Sequence, residues 1–212
     1  MTLTALILAA GQSKRMGQPK MLLPWGETTV LGKVIETVQA AGVEEILVVT
    51  GGSRAHVEQI VAQHSVCCVH NPDYNRGEML SSIQAGLRAL LLTPHLLPAS
   101  SISNENEGRE TAALICLGDQ PQIEVRSVSA IIGRFRESGA GLIVPSFQMR
   151  RGHPWLAARP LWDELLSLQP PQSPRNFLNA HAREIEYVNV DTPSVLADLD
   201  TPEDYERAKP SA

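Results

Sequence analysis

Short apolar runs that alternate with helical segments constrain the fold of this 212-residue chain more than any other feature. The apolar runs indicate strands buried on both faces. They cover residues 4–10, 45–50, 66–69 and 112–117, with a further strand-like run at 141–145. Between them lie segments with apolar residues at helical spacing, at residues 30–41, 54–63, 79–92 and 125–138. The chain therefore alternates strand and helix along most of its length.

This alternation predicts an α/β fold, a three-layer Rossmann-like arrangement with a mostly parallel sheet and helices on both faces. Ligands of such sheets bind beyond the carboxyl ends of the strands. The length suits a single domain over residues 1–212. Residues 93–110, rich in Ser, Asn, Pro and Glu, predict a flexible insertion, which we favour over a lid. Residues 147–182 predict a subregion outside the regular alternation.

The charge balance argues against some classes of partner. The net charge is −5 and the isoelectric point is about 5.7, whereas proteins that bind nucleic acid or anionic membranes normally present a basic face. We expect neither partner. The first apolar run follows no basic region and is too short to cross a membrane. We therefore expect a cytoplasmic protein.

The cysteines, Cys67, Cys68 and Cys116, form neither a C-x-x-C pair nor a zinc-binding spacing. We expect them to be buried, reduced thiols. The cysteines are therefore not candidates for the functional site, and we look for candidate residues in the loops that follow the strands.

The loop after the first strand, residues 8–23 (LAAGQSKRMGQPKMLL), contains the basic residues Lys14, Arg15 and Lys20. Backbone N–H groups in a glycine-containing turn can surround a phosphate, and nearby cations add Coulomb attraction. The loop has neither the G-K-[ST] of a Walker A motif nor G-x-G-x-x-G. The residues alone therefore favour a phosphate-binding loop over a surface loop with solvated cations, and go no further.

Two acidic segments predict a magnesium site. Asp119 follows the strand at 112–117, and a carboxylate there can hold Mg²⁺ together with substrate phosphates. The alternative is an ordinary turn or helix-capping aspartate. Asp198 and Asp200 alternate on an extended segment and so share a face, where a cation would relieve their repulsion. Of these two, Asp200 is our choice for a second ligand, and Thr201 is interpreted as an ordinary helix cap.

Two further segments carry candidate ligand contacts. In RRGHP, residues 150–154, Gly152 indicates a close backbone approach, and His153 is either a ligand contact or an ordinary turn histidine. In NRGEMLSSIQAGL, residues 75–87, Gly77 suits a turn. Ser81 and Ser82 lie at the start of a predicted helix, where polar ligands and anions are favoured.

Together, LAAGQSKRMGQPKMLL, GEMLSSIQAGL, GDQP, GHP and DLDTPEDY resemble the molybdenum-cofactor nucleotidyltransferases in order and spacing, most nearly the cytidylyltransferase branch. The resemblance covers residues 3–208 and implies the nucleotidyltransferase version of the predicted fold. It implies that a nucleoside triphosphate binds over the first loop. The terminal phosphate of molybdopterin then attacks the α-phosphate, pyrophosphate leaves, and a dinucleotide cofactor forms.

The resemblance also assigns roles to residues. It implies catalytic roles for Arg15, Lys20 and Asp119, and Mg²⁺ ligation by Asp119 and Asp200. The implied nucleotide-binding positions are Leu8, Ala9, Ala10, Gly11, Ser13, Arg15, Lys20, Gly77, Ser81, Ser82 and Gly118. The implied acceptor-binding positions are Gln120, Pro121, Gly152, His153 and Pro154.

The base and the acceptor leave alternatives open. The guanylyl branch typically reads Leu-Ala-Gly-Gly after its first strand, whereas this chain has alanine at position 10, whose methyl group narrows the space for a purine. We therefore expect CTP, with GTP as the alternative. Another phosphorylated acceptor, such as a sugar or polyol phosphate, and a non-enzymatic nucleotide-binding regulatory module are the remaining alternatives. Hand-off of the product to a molybdenum hydroxylase or its maturation chaperone is a possible further step.

Overall fold

The protein is described by a computed structural model that covers residues 2–76, 79–92 and 111–210. The predicted insertion at 93–110 and the predicted turn residue Gly77 lie outside these described residues. In chain order the strands are β1 (Thr2–Ala9), β2 (Pro24–Trp25), β3 (Thr28–Thr29), β4 (Glu45–Thr50), β5 (Cys67–His70), β6 (Thr111–Leu117), β7 (Leu142–Phe147), β8 (Arg150–Arg151), β9 (Trp155–Ala158) and β10 (Ile185–Asn189). The helices are α1 (Val30–Ala40), α2 (Arg54–Gln63), α3 (Met79–Leu92), α4 (Val125–Ser138), α5 (Trp162–Ser167), α6 (Pro174–Ala180) and α7 (Pro202–Ala208).

The main sheet has eight strands, in the order β10–β7–β9–β6–β1–β4–β5, with β8 paired to β7. β9 runs antiparallel to both of its neighbours, and β8 is antiparallel to β7. The remaining pairs are parallel. The carboxyl ends of β1, β4, β5 and β6 therefore meet at one edge of the sheet, where the loops singled out above emerge.

Helices cover both faces of this sheet, as the alternation predicts. Along β1, Ala5 and Ile7 pack into the core shared with α1, α2 and α4, while Leu6 and Leu8 pack into the core shared with α3, α5 and α6. Neighbouring residues of a strand point to opposite faces, so a wholly apolar strand feeds both cores. The three-layer α/β arrangement with a mostly parallel sheet is confirmed.

Local signals in the sequence fix several helix ends. The Thr29 hydroxyl accepts a hydrogen bond from the Gly32 backbone N–H at the start of α1, and α4 ends at Gly139, whose φ of 61° suits a residue without a side chain. Thr201 and Asp204 form a reciprocal capping box at the start of α7. The interpretation of Thr201 as a cap is thus confirmed.

The cysteine prediction is wrong for Cys67 and Cys68, which are exposed, and right for Cys116, which is buried. The reason is topological. Cys67 and Cys68 lie in β5 at the end of the sheet, where no further strand covers them, while Cys116 lies in β6 near its centre. All three are free thiols.

The region 147–182 leaves the parallel alternation, as predicted, but it does not lie outside the sheet. It supplies β9, which inserts between β6 and β7, and the helices α5 and α6, which pack on the face opposite α1. The subregion is therefore part of the central fold.

A small third core joins the start of the chain to its end. Met16, Leu23 and Leu199 pack in it with Trp25 of β2, and the hydroxyl of Tyr205 in α7 donates to the Pro24 carbonyl at 2.7 Å. These contacts hold the acidic segment 198–200 beside the basic loop after β1. No helix among residues 2–76, 79–92 and 111–210 is long and apolar enough to cross a membrane.

Candidate active site

The loop after β1 folds into a tight turn that orients its basic residues. Ser13 has a φ of 51° and Gly17 a φ of 70°, and the Ser13 carbonyl accepts hydrogen bonds from the backbone N–H groups of Met16 (3.0 Å) and Gly17 (3.2 Å). Met16 is buried and anchors the turn. The loop then ends in a short 3₁₀ turn, Lys20–Leu22, where the Lys20 backbone N–H donates to Ser13 Oγ at 3.1 Å.

Lys20 is the centre of an ion cluster that joins three distant segments. Its Nζ contacts Asp119 Oδ2, lies 3.6 Å from Asp200 Oδ1, and donates to the Leu199 carbonyl at 2.9 Å. The Lys20 side chain is only 12% exposed. Arg15, far more exposed, lies 3.1 Å from Asp200 Oδ2. The predicted cations and the predicted metal ligands therefore meet at one place.

Asp198 adds a third carboxylate beside this cluster. Burial raises the pKa of the Asp198 carboxyl, the charges of Asp119 and Asp200 raise it further, and the hydrogen bond from Gln120 together with the charge of Lys20 opposes these effects. The Gln120 amide donates to Asp198 Oδ1 at 2.7 Å. Negative charge is thus concentrated here, and a bound cation would relieve it.

The ion cluster lines a cavity of about 450 Å³, called here the smaller cavity. Of the predicted nucleotide, catalytic and metal positions, its lining includes Leu8, Ala10, Gly11, Ser13, Arg15, Lys20, Ser82, Asp119 and Asp200. Residues that we did not predict also line it, among them Gln12, Tyr74 and Met79. Tyr74 and Met79 flank Gly77, but no spacing rule marks an aromatic ring or a methionine as a cavity wall.

Some of the predicted nucleotide positions support the smaller cavity without lining it. Ala9 is buried in the core, and the Gly118 backbone N–H donates to the Leu8 carbonyl at 3.0 Å. The hydroxyls of Ser81 and Ser82 accept hydrogen bonds from the Asn71 amide at 3.0 and 3.1 Å. Of these two serines, Ser82 reaches the cavity.

Ala10 lies where the strand meets the loop, and its neighbour Gly51 leaves room for it. A side-chain carbon added at Gly51 would lie 2.4 Å from the Ala10 carbonyl oxygen and 2.8 Å from its methyl carbon. The two chain segments therefore touch through backbone atoms. Ala10 is buried and is one of the residues that line the smaller cavity.

A larger cavity of about 1210 Å³ adjoins the smaller one, and Met79 lines both. Of the predicted acceptor positions, Gly152 and His153 line it, whereas Gln120, Pro121 and Pro154 are buried and do not. The close approach predicted at Gly152 is to the protein itself, since an added side-chain carbon would lie 2.4 Å from the Val195 carbonyl.

His153 is a neutral side chain in the wall of the larger cavity. Burial lowers the pKa of its imidazole to about 4. Its backbone N–H donates to the Val195 carbonyl at 2.9 Å, and the peptide bond to Pro154 is cis. Its Nε2 atom is buried with no hydrogen-bond partner in the described part of the chain. An imidazole in this state can exchange a hydrogen bond with a bound molecule but carries no charge to it.

Within the residues that the structure describes, no group of three or more His, Cys, Asp or Glu side chains is arranged to hold a metal ion by itself. Asp119 and Asp200 instead form a pair whose oxygens converge on one ammonium group. Such a pair suits an ion that also takes ligands from a substrate, as Mg²⁺ does with phosphates. The site can therefore bind a polyphosphate through its cations and a divalent ion through its carboxylates.

Comparison with known proteins agrees with this geometry. The family profile described as "MobA-like NTP transferase domain" matches residues 5–185. The molybdenum cofactor cytidylyltransferase of Escherichia coli is 31% identical over 96% of this chain and 94% of its own length. Among solved structures, a complex of Rv0371c from Mycobacterium tuberculosis with manganese superposes with a TM-score of 0.72 at 25% identity over 100% of both chains. A nucleotidyl transferase from Methanothermobacter thermautotroptrophicus gives a TM-score of 0.75 at 23% identity, over 98% of this chain and 96% of its own.

Proposed function

Since this chain belongs to the MobA-like NTP transferase family, we propose that it transfers CMP from CTP to the terminal phosphate of molybdopterin and releases pyrophosphate. The chain is a nucleotidyltransferase with the α/β fold of its solved neighbours. The similarity to a molybdenum cofactor cytidylyltransferase over nearly its whole length supports this choice of donor and acceptor. The reaction is proposed to take place in the cytoplasm.

The observation that carries the proposal is the ion cluster around Lys20. In nucleotidyl transfer the protein forms no covalent bond to the substrate in the proposed reaction. It contributes mainly by stabilising negative charge on phosphate oxygens. Lys20 and Arg15 both line the smaller cavity and are free to exchange their carboxylate partners for a triphosphate. We propose that Gly11 and Ser13 contribute backbone contacts to the same phosphates.

The carboxylates of Asp119 and Asp200 fit a divalent cation. Their oxygens already meet at a cationic group, the Lys20 ammonium, and hard oxygen donors of this kind favour Mg²⁺. When bound with CTP, the ion would supply neutralising charge to the triphosphate. The presence of manganese in the similar Rv0371c structure supports a divalent ion as the class of cofactor.

In the proposed reaction an oxygen of the acceptor phosphate attacks the α-phosphorus of CTP. The bond between that phosphorus and the oxygen leading to the β-phosphate breaks, and pyrophosphate leaves with the electron pair. Lys20 and Arg15 stabilise the negative charge that develops on the departing group. Asp119 would hold the divalent ion beside the triphosphate, and before nucleotide binds it keeps Lys20, which it contacts directly, in the wall of the smaller cavity.

The larger cavity is the proposed site of the acceptor. It meets the smaller cavity at Met79, so molecules in the two cavities can come together there. We propose that Gly152 and His153 contact the pterin portion, and that the neutral His153 imidazole forms a hydrogen bond with it. Pro154, which is buried next to His153, would then support this wall from behind, whereas Gln120 contacts Asp198 in the wall of the smaller cavity.

The proposed preference for CTP rests on Ala10. Ala10 lines the smaller cavity with Leu8 and Gly11, and we propose that its methyl group takes space that a larger purine would need. We propose that Ser82, which lines the same cavity, contacts the base or the ribose. Ser81 is proposed to support it through their shared partner Asn71.

The deciding experiment measures pyrophosphate release from each of the four nucleoside triphosphates with molybdopterin and Mg²⁺. We expect release with CTP, and we expect Ala10→Gly to raise the relative rate with GTP. A preference of the wild-type protein for GTP would contradict the assignment of the base. Release with a sugar phosphate or a polyol phosphate but none with molybdopterin would contradict the assignment of the acceptor. Hand-off of the product to a molybdenum hydroxylase or its chaperone stays a prediction.

A further inference from the structure

The larger cavity carries positive charge that no acidic residue in the described part of its wall balances. Arg150, Arg151 and Arg175 line it, and none of the described residues in its lining is Asp or Glu. Within the described residues none of these arginines has a carboxylate oxygen within 4.0 Å. In a chain whose net charge is −5, such a recess attracts anions.

Arg151 is held in a fixed position in this wall. Its Nε donates to Tyr187 Oη at 2.8 Å, its Nη1 donates to Asn179 Oδ1 at 2.8 Å, and its guanidinium carbon lies 5.7 Å from the centre of the Tyr187 ring. A guanidinium has five N–H donors, so three of them remain without a partner in the described part of the chain. An oriented arginine with spare donors is suited to a planar or tetrahedral oxyanion.

The strand that carries Arg151 is placed by a strained turn. β7 and β8 are joined through Gln148 and Met149, which have φ values of 48° and 65°, a conformation that non-glycine residues seldom adopt. Ser146 pairs with Arg151 across this hairpin. The hairpin is thus kept in a tight form that fixes the position of Arg151 along the cavity wall.

Two buried polar atoms beside these arginines also lack partners. The indole of Trp155 is fully buried, and its Nε1 has no hydrogen-bond acceptor within the described residues. His153 Nε2 is likewise buried without a hydrogen-bond partner among the described residues. Both residues line the larger cavity. Unpaired buried polar atoms are costly and rare in native proteins, so the side chains behind this wall retain unused hydrogen-bonding capacity.

We propose that Arg151, positioned by Tyr187 and Asn179, binds an oxyanion of the acceptor, a phosphate or carboxylate group, in the larger cavity. Arg150 and Arg175 strengthen the attraction through their charge. The identity of the acceptor rests on the proposed function, whereas the anion site does not. The site holds the acceptor by its anionic group, and Arg151 is the residue that makes this contact.

The first test separates acceptor binding from nucleotide binding. Arg151→Gln is expected to raise KM for molybdopterin roughly 10- to 100-fold, the loss typical of a hydrogen bond to a charged group, while KM for CTP changes less than about twofold. Tyr187→Phe should give a smaller rise, since it removes only a positioning contact. Arg134→Gln is the matched control, because Arg134 pairs with Glu186 at the surface and lines neither cavity. An unchanged KM for molybdopterin in Arg151→Gln would overturn the proposal.

The second test needs no turnover. Inorganic phosphate is titrated into the protein without nucleotide or metal, and the arginine Nε–H and tryptophan indole N–H signals are followed by ¹⁵N NMR. We expect a saturable shift of the Arg151 signal, identified by its loss in Arg151→Gln, and no shift of the Arg134 signal. A phosphate-dependent shift in a protein that fails to use molybdopterin would support the anion site while rejecting the proposed acceptor. The absence of any Arg151 shift would reject the anion site whatever the outcome of the kinetic test.

Discussion

At the scale of single residues, two sets of partners compete for Lys20: the carboxylates that it contacts and the triphosphate that it is proposed to bind. Its ammonium stands between Asp119 and Asp200, the two carboxylates proposed to hold a divalent ion, and the same group is proposed to bind the triphosphate. A metal ion that arrives without nucleotide must therefore displace a cation. A metal–nucleotide complex instead offers Lys20 phosphate oxygens as new partners, so metal and nucleotide are expected to bind together.

The corresponding prediction concerns Lys20→Met. Removing the ammonium should let Mn²⁺ bind more tightly in the absence of nucleotide, because two carboxylates lose their internal counter-charge. The activation free energy of turnover should rise by about 2–4 kcal/mol, as it does in other enzymes that lose one strong hydrogen-bond donor to the transition state. Free Mn²⁺ is measured by electron paramagnetic resonance, with Lys33→Met as the control. Equal Mn²⁺ affinity in wild type and Lys20→Met would contradict this view of Lys20.

A second residue-scale prediction concerns Asp119→Asn, which keeps the shape of the side chain but removes its charge. We expect near-complete loss of pyrophosphate release. Nucleotide binding, measured by calorimetry, should weaken mainly when Mg²⁺ is present, since the lost group acts through the ion. Asp163→Asn is the matched control, because Asp163 is an exposed residue paired with Arg159. Turnover that survives in Asp119→Asn would remove this residue from the metal site.

From the sequence, candidate residues could be named where charged groups lie in one short segment, and their roles stay predictions. The loop containing Lys20 and the turn containing Asp119 each place a charged residue just after a predicted strand. In the structure both residues line the smaller cavity. Arg151 could not be found in this way. Its importance depends on Tyr187 and Asn179, which are distant in sequence and have no motif of their own.

At the scale of elements, the parallel strands and their helices could be predicted because their pattern is local. Helices α2, α3 and α4 have the predicted bounds. The strand β9 was missed, since its four residues are too few to show periodicity and its antiparallel pairing with β6 and β7 depends on contacts far apart in the chain. The same applies to β10, whose exposed and buried residues are mixed.

The pair α5 and α6 gives an element-scale prediction about pH. His181, at the end of α6, places its Nε2 2.9 Å from Glu164 Oε2 of α5 and its Nδ1 3.2 Å from Glu184 Oε2. Burial lowers the pKa of His181, but the hydrogen bonds and charges of Glu164 and Glu184 outweigh it, so the pKa lies above its ordinary 6.5. Protonated His181 therefore stabilises the fold below about pH 6.5, and this contribution is lost as the pH rises through the raised pKa.

We expect His181→Gln to lower the free energy of unfolding by roughly 0.5–1 kcal/mol more at pH 5.5 than at pH 8.5. Urea unfolding at the two pH values measures this difference. His56→Gln, at an exposed position of α2, serves as the control and should show no such dependence. A destabilisation by His181→Gln that is equal at both pH values would show that packing on Phe177, and not charge, is the contribution of His181.

At the scale of the whole molecule, the position of the site follows from the topology. The smaller cavity lies where β1 and β6 end side by side, which is the edge that parallel sheets offer to ligands. The larger cavity takes its walls from β7–β10 and α6, the part of the sheet built around the antiparallel strand. Nucleotide and acceptor are thus proposed to bind to two halves of one continuous sheet, with α3 between them through Met79.

Because both cavities are built on one continuous sheet, the position of each thiol in that sheet predicts how it reacts in the intact protein. Cys67 and Cys68 are exposed on the edge strand β5 and should react with Ellman's reagent in the folded protein, Cys68 more slowly because partial burial raises the pKa of its thiol. Cys116 is 3% exposed in β6, between β1 and β9, and burial raises the pKa of its thiol. Because its neighbours belong to both halves of the sheet, Cys116 should become reactive only when the whole sheet opens.

Binding of Mg²⁺ and CTP should therefore slow the labelling of Cys116 alone. A ligand at a hundred times its dissociation constant lowers the open population about a hundredfold, and the slow phase should lengthen by about that factor while the two fast thiols are unaffected. Cys116→Ala is the control and should abolish the slow phase. Two outcomes would contradict this prediction: labelling of Cys116 as fast as that of Cys67, or a slow phase whose rate does not change with ligand. Either would mean that β6 opens without the rest of the sheet, so that the two cavities do not belong to one cooperative unit.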